Sequence, residues 1–149
     1  MMLVSACLVG ERCRYDGDGF DRYPDLKRLV VEGEAIAVCP EELGGLPTPR
    51  PPAELQGGDG AAAWRGEARL TTHAGADVTE AFLRGAEETA RLAAECGATL
   101  AVLKARSPSC GCHGIYDGSF SGQIVPGMGV TAARLKAMGL QVESEETWR

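Results

Sequence analysis

The apolar residues of this chain fall into short runs separated by long stretches of turn-forming and charged residues. Leu3-Val4-Ser5-Ala6, Ala35-Ile36-Ala37-Val38 and Leu100-Ala101-Val102-Leu103 are uninterrupted by charge and end in segments rich in Cys, Gly, Pro or Ser. Such runs read as short buried strands. Helical spacing lies between them. Asp21 to Val31 carries Leu26, Leu29 and Val30 on one stripe, with Pro24 near the first turn and Gly33 able to close the end. Asp77-Val78-Thr79-Glu80 opens the longest helix, with Asp77 as N-cap and Glu80 in capping-box position. Phe82, Ala86, Ala90, Leu92, Ala93 and Ala94 give that helix a mainly small apolar face as far as Gly97. Val130 to Met138 is a last helix, and Leu140-Gln141-Val142 a final strand ahead of a charged tail.

Alternation of strand and helix predicts the α/β class: a mostly parallel, Rossmann-like sheet flanked by helices. The pattern fails in two places. Pro40 to Pro52 ends with Pro47, Pro49, Pro51 and Pro52, which predicts a stiff loop without regular helix or central strand. Residues 53–76 have no clear period, apart from Ala68 to Thr72 as one strand of an exposed hairpin, so 49–76 reads as a loop or hairpin insertion. Ile115 to Gly122, with its spaced glycines, reads as turns. A chain of 149 residues can bury a core without disulfides, and 1–149 is expected to form a single domain.

Composition narrows the partners. A net charge of −6 and a pI near 5.0 argue against wrapping a nucleic-acid backbone and favour a small, neutral or weakly charged ligand. No run approaches the ~18 apolar residues of a membrane helix, and the first ten residues lack the basic and apolar regions of a secretory leader. The expectation is a cytoplasmic protein with no membrane partner and reduced thiols, its oligomeric state unspecified.

The thiols carry the chemistry. Each of the three buried runs ends at or just before a cysteine: Cys7, Cys39 and, after a Ser/Pro loop, Cys110. In an open parallel sheet, ligands sit beyond the carboxyl ends of the strands where connections diverge, so these three are expected to meet at a metal site. Cys13 and Cys112, also in loops, are possible extra thiols at that site, whereas Cys96 on the long helix reads as a packing residue. The spacings match neither paired structural zinc ligands nor electron-transfer iron–sulfur motifs. Three well-separated thiolates suit a centre with one open coordination position.

Ser5-Ala6-Cys7-Leu8-Val9-Gly10 with Cys13-Arg14-Tyr15-Asp16-Gly17, Cys39-Pro40-Glu41 with Gly44-Gly45-Leu46-Pro47-Thr48-Pro49-Arg50, and Ser107-Pro108-Ser109-Cys110-Gly111 with Tyr116-Asp117-Gly118 resemble, in order, the signature blocks of the thiouracil desulfurase family. The resemblance spans nearly the whole chain. It implies a [4Fe–4S] cluster held by Cys7, Cys39 and Cys110, with one iron not ligated by protein and free to take the sulfur of a small thio-nucleobase. The implied reaction is non-redox: 4-thiouracil and water give uracil and hydrosulfide. Soft sulfur suits iron, and coordination polarises C=S toward water.

Glu41, two residues after Cys39, is then the candidate general base. Ser107 and, behind it, Ser109 are candidates for positioning the water. Lys104, Arg14, Tyr15 and Arg50 are weaker candidates for substrate contact, and His113 receives no role. Two other classes use the same thiols: a non-catalytic cluster-binding, metal-binding or sulfur-transfer protein, and a thiol redox protein cycling Cys110 with Cys112 or Cys7 with Cys13.

Overall fold

The computed structural model describes residues 1–149. The three predicted runs form strands β1 (Met2–Ser5) and β2 (Ala35–Val38), and the later strand Leu100–Leu103. Each is too short to span more than a small sheet, and they pair side by side. Counting strands along the chain, Ala53–Gln56 is β3, Arg69–Thr72 β4, Leu100–Leu103 β5, Gly114–Tyr116 β6, Ile124–Pro126 β7 and Gln141–Ser144 β8. The central sheet is wholly parallel in the order β2-β1-β5-β8. Connections from β1 leave toward β2 on one side, and the chain later returns to β5 on the other, so the crevice between β1 and β5 is the switch point.

Helices α1 (Pro24–Val31), α4 (Thr79–Cys96) and α5 (Val130–Ala137) flank this sheet. Side chains alternate across the strands: Leu3, Ala101 and Leu103 meet Ala90 and Ala93 of α4 and Leu135 of α5, while Val4 and Val102 meet Leu26 of α1 on the opposite side. The α4 start differs slightly from expectation. Val78 is the cap residue, and Asp77 Oδ1 accepts from Thr79 N at 2.9 Å.

Three expectations need correction. Pro40–Leu43 is a one-turn helix, α2, because Pro40 stands at a first-turn position where its missing N–H costs nothing; the prolines that exclude helix come later. Residues 53–76 are more ordered than a loose insertion. Strands β3 and β4 pair antiparallel, a short helix α3 (Gly60–Trp64) lies between them with Asp59 capping Ala62 N at 3.1 Å, and Leu55, Ala68 and Leu70 are buried against Phe82, Ala86 and Val130. The hairpin is therefore a packed wall. Finally, the glycine-spaced segment contains β6, which pairs antiparallel with β7.

Candidate functional site

The carboxyl ends of β1, β2 and β5 open into a cavity of about 680 Å³, closed on its far side by the β3–β4 hairpin and by the loop around Phe120. Cys7 comes from a 3-10 turn (Ala6–Val9) directly after β1. Cys39 is the N-cap of α2, following β2. Cys110 lies in the loop after β5, and Cys13 in the loop after the 3-10 turn; all four line the cavity. No three Cys, His, Asp or Glu side chains are gathered tightly enough for a single metal ion, so the thiols surround a space and do not form a mononuclear chelate.

The thiols are coupled. Contact with Cys39 favours the Cys13 thiolate, but contact with Cys7, burial and the charges of Cys7 and Glu42 outweigh it and push Cys13 up to about 12. Contact with Cys13, followed by burial, drives Cys39 well above the ordinary thiol range. Burial pushes Cys110 up to about 12, with the Glu41 and Cys39 charges adding to the shift against the Ser5 and Ser109 hydroxyls. Without a cation, this is an environment that keeps sulfur protonated.

Glu41 follows Pro40 in the first turn of α2 and lines the cavity. Its carboxylate is ion-paired with Arg50, whose side chain is 5% exposed against 18% for Glu41. Arg50 also donates to Thr48 Oγ1 at 2.9 Å, Pro47 O at 3.3 Å and Cys13 O at 2.9 Å. The guanidinium thus joins the Cys13 loop, α2 and its own proline-rich loop, and has few donors left for a ligand.

Ser107 and Ser109 differ. Ser107 lines the cavity, and its Oγ accepts from Ser109 N at 3.0 Å and Cys110 N at 2.9 Å. With both lone pairs engaged and no acceptor for its own proton in the protein, its O–H is free to donate into the cavity. Ser109 is buried away from the cavity and shares a hydrogen bond of 2.7 Å with Thr131 on α5. Its carbonyl also accepts from Thr131 N at 2.9 Å and Ala132 N at 3.2 Å, tying the loop to α5.

Lys104 reaches the cavity wall, but Nζ pairs with buried Glu145 at 3.1 Å and donates to Ala105 O at 3.0 Å. Arg14 and Tyr15 lie at the cavity, with the Arg14 guanidinium 4.7 Å above Phe20 and 5.6 Å from the Tyr15 ring. Cys112 is buried and lies outside the cavity; burial and Glu143 push its thiol up to about 11. Cys96 donates to Ala93 O at 3.7 Å on α4, as a packing residue does.

Sequence reasoning missed Glu54 and Ser5. Glu54, on β3, is buried at the cavity and its Oε1 accepts from Gly118 N at 2.9 Å and Phe120 N at 3.2 Å, fixing the loop that forms the far wall. Ser5 ends β1, and its hydroxyl accepts from Lys104 N at 2.9 Å, tying the two strand ends together. A charged residue just after a proline run was the one available signal for Glu54.

Comparison with known proteins gives three findings. The model of the family described as 2-thiouracil desulfurase matches residues 2–147. A Bacillus subtilis (strain 168) protein named uncharacterized protein YbbK is 48% identical over 145 residues, covering 97% of this chain and 95% of that one. A solved structure of the [4Fe-4S]-dependent thiouracil desulfidase TudS superposes with a TM-score of 0.86 at 45% identity, covering 99% of this chain and 91% of that chain.

Proposed function

Since the chain belongs to the 2-thiouracil desulfurase family, we propose that it is a [4Fe–4S]-dependent enzyme that removes sulfur from a small thiolated nucleobase by hydrolysis, without redox change. The carrying observation is that one cavity at the switch point of the sheet contains the thiols of Cys7, Cys39 and Cys110 together with Glu41 and Ser107. The donor set fits the group. Each thiolate of a cluster binds a different iron, so thiols spread around a space are what it requires. Binding to iron replaces the thiol proton, so the raised Cys39 and Cys110 thiols would release protons as the cluster is taken up. In this reading Cys7, Cys39 and Cys110 are the ligands and leave one iron without a protein ligand.

When bound, the cluster supplies a soft Lewis acid for the thiocarbonyl sulfur. The chain's own residues do the rest. Glu41, held at the wall by Arg50, takes a proton from the water that attacks the thiocarbonyl carbon. Ser107 offers its free O–H to hold that water or the oxygen it becomes. The substrate carbon exchanges a bond to sulfur for one to oxygen, sulfur leaves as hydrosulfide, and no atom changes oxidation state. Leu46, Val78 and Phe82 give the same volume an apolar wall.

The test is hydrosulfide release from 4-thiouracil by anaerobically reconstituted protein, with Cys39→Ala and Glu41→Gln alongside. The expected result is turnover in the unaltered protein, loss of both cluster and turnover in Cys39→Ala, and loss of turnover by ~10²-fold or more with the cluster retained in Glu41→Gln. A stable cluster without hydrosulfide release would instead identify a cluster-binding or sulfur-transfer protein.

A further inference from the structure

The cavity wall carries two acidic side chains, Glu41 and Glu54. Glu41 is ion-paired with Arg50, and the other cations of the wall are also engaged: Lys104 with Glu145 at 3.1 Å and Arg14 with Asp16 at 3.7 Å. Glu54 pairs with none of them. It is 8% exposed, and both of its hydrogen bonds fall on one oxygen: Oε1 accepts from Gly118 N at 2.9 Å and Phe120 N at 3.2 Å. Oε2 has no partner in the protein. Every fully buried side-chain nitrogen and oxygen has one, so Oε2 is open, and the space that this otherwise buried residue lines is the cavity.

The bonds to Oε1 also hold the carboxylate in place. Phe120 lies in the left-handed region at a φ of 56°, where a non-glycine residue is strained and stays only if its surroundings fix it. Gln56, two residues along β3, fastens the same turn by donating from Nε2 to Gly118 O at 2.7 Å. The turn in exchange locks Oε1, and with it the direction of Oε2. A pinned, shielded acceptor without a partner is the kind of group that orients a small polar ligand in an otherwise apolar pocket.

We propose that Glu54 is a specificity-determining residue, which binds the base by accepting at Oε2 a hydrogen bond from one of its ring N–H groups. The inference rests on the thiolated-nucleobase reading above and adds to it a contact on the wall opposite the strand ends. With the thiocarbonyl at the thiols and an N–H edge at β3, the ring is held at two points. A thione that lacks the donor leaves Oε2 shielded and unpaired, so the site rejects it.

The experiment measures hydrosulfide release by anaerobically reconstituted protein and by Glu54→Gln, on 4-thiouracil and on its 1-methyl and 3-methyl derivatives, with uracil binding followed by calorimetry. Glutamine keeps the volume. The two loop N–H groups hold its amide oxygen on their side, so its NH2 faces the cavity and meets the ring N–H donor to donor. KM for 4-thiouracil should rise ~10- to 100-fold in Glu54→Gln, with kcat altered less than about threefold, and uracil affinity should fall by the same factor as KM rises. Methylation at the contacted nitrogen should cost the unaltered protein about tenfold or more, and Glu54→Gln at least about fivefold less than that, because the bond is already lost. Methylation at the other nitrogen should cost both proteins alike. Hydrosulfide release with the same KM in both proteins, or with the same penalties in both for either methyl derivative, overturns the role of Glu54 and leaves desulfuration standing. An unaltered protein that turns over both methyl derivatives as well as 4-thiouracil overturns it without reference to any variant. Uracil binding that depends on Glu54, without hydrosulfide release, supports the contact and overturns desulfuration. A cluster-loaded protein that neither binds uracil nor releases hydrosulfide overturns both.

Discussion

Arg50 shows how much of this site is decided by single side chains. Its guanidinium lies between Glu41, Thr48 and the carbonyl of Cys13, almost without exposure. Removing one partner of a buried pair leaves the other charge uncompensated, which typically costs ~3–5 kcal/mol. Arg50→Ala is therefore expected to destabilise the protein by about that amount in urea denaturation of the metal-free form. Arg50→Lys should recover less than half of the loss, because a lysine ammonium cannot fork between Glu41 and the Cys13 carbonyl. Equal stability in all three proteins would remove the strut role. None of this is legible in sequence, since the partner carbonyl lies 37 residues away. Arg50 in a loop reads equally well as a substrate contact. The same limit separates Ser107 from Ser109: both flank Pro108, and only the packing of α5 turns Ser109 toward Thr131.

At the scale of elements, the position of Glu41 depends on how closely α2 approaches α4. Gly44 and Gly85 make that approach possible: a Cβ on Gly85 would run into the carbonyl of Pro40, and one on Gly44 into that of Ala81. Arg84 closes the seam by donating to Gly44 O at 3.0 and 2.7 Å. Gly85→Ala sets two effects against each other. Alanine favours helix by ~1 kcal/mol over glycine, while overpacking costs ~1–3 kcal/mol and here meets rigid backbone. The clash should win. Gly85→Ala is expected to lower stability and, by displacing α2, to reduce hydrosulfide release at least about tenfold with iron content retained. A Gly85→Ala protein of unchanged stability and turnover would show that α2 does not set Glu41. The strands that deliver the cysteines were legible because each is a run of apolar residues ending in a thiol. Strands β3, β6 and β7 were not, because they lie among glycines and prolines and none is an unbroken apolar run of four: β3 is ordered by Leu55 packing with Phe82 and Ala86, while β7 is exposed and pairs only with β6.

For the whole molecule, the parallel sheet and its hairpin wall enclose several thiols that burial and mutual proximity keep protonated. That has a consequence for stability without metal. Cys110 has an ordinary thiol value of 9.0 when unfolded and about 12 when folded, and Cys13 shifts in the same direction to about 12. Above pH ~9 the unfolded chain releases thiol protons that the folded chain retains, so the unfolded state binds fewer protons and stability falls with rising pH. The contribution is fully present below pH ~9 and is lost progressively up to pH ~12, with Cys110 alone weakening the fold by ~1.4 kcal/mol per pH unit in that window. Urea denaturation of the metal-free protein at about pH 8 and about pH 10 should therefore show a lower midpoint at the higher pH. Cys110→Ala should flatten the slope, apart from its own packing cost. Loading the cluster should flatten it further, because thiolates bound to iron have no proton to release in either pH range and ligand binding stabilises the folded state alone. A midpoint that falls equally with and without the cluster would mean that these thiols are not its ligands.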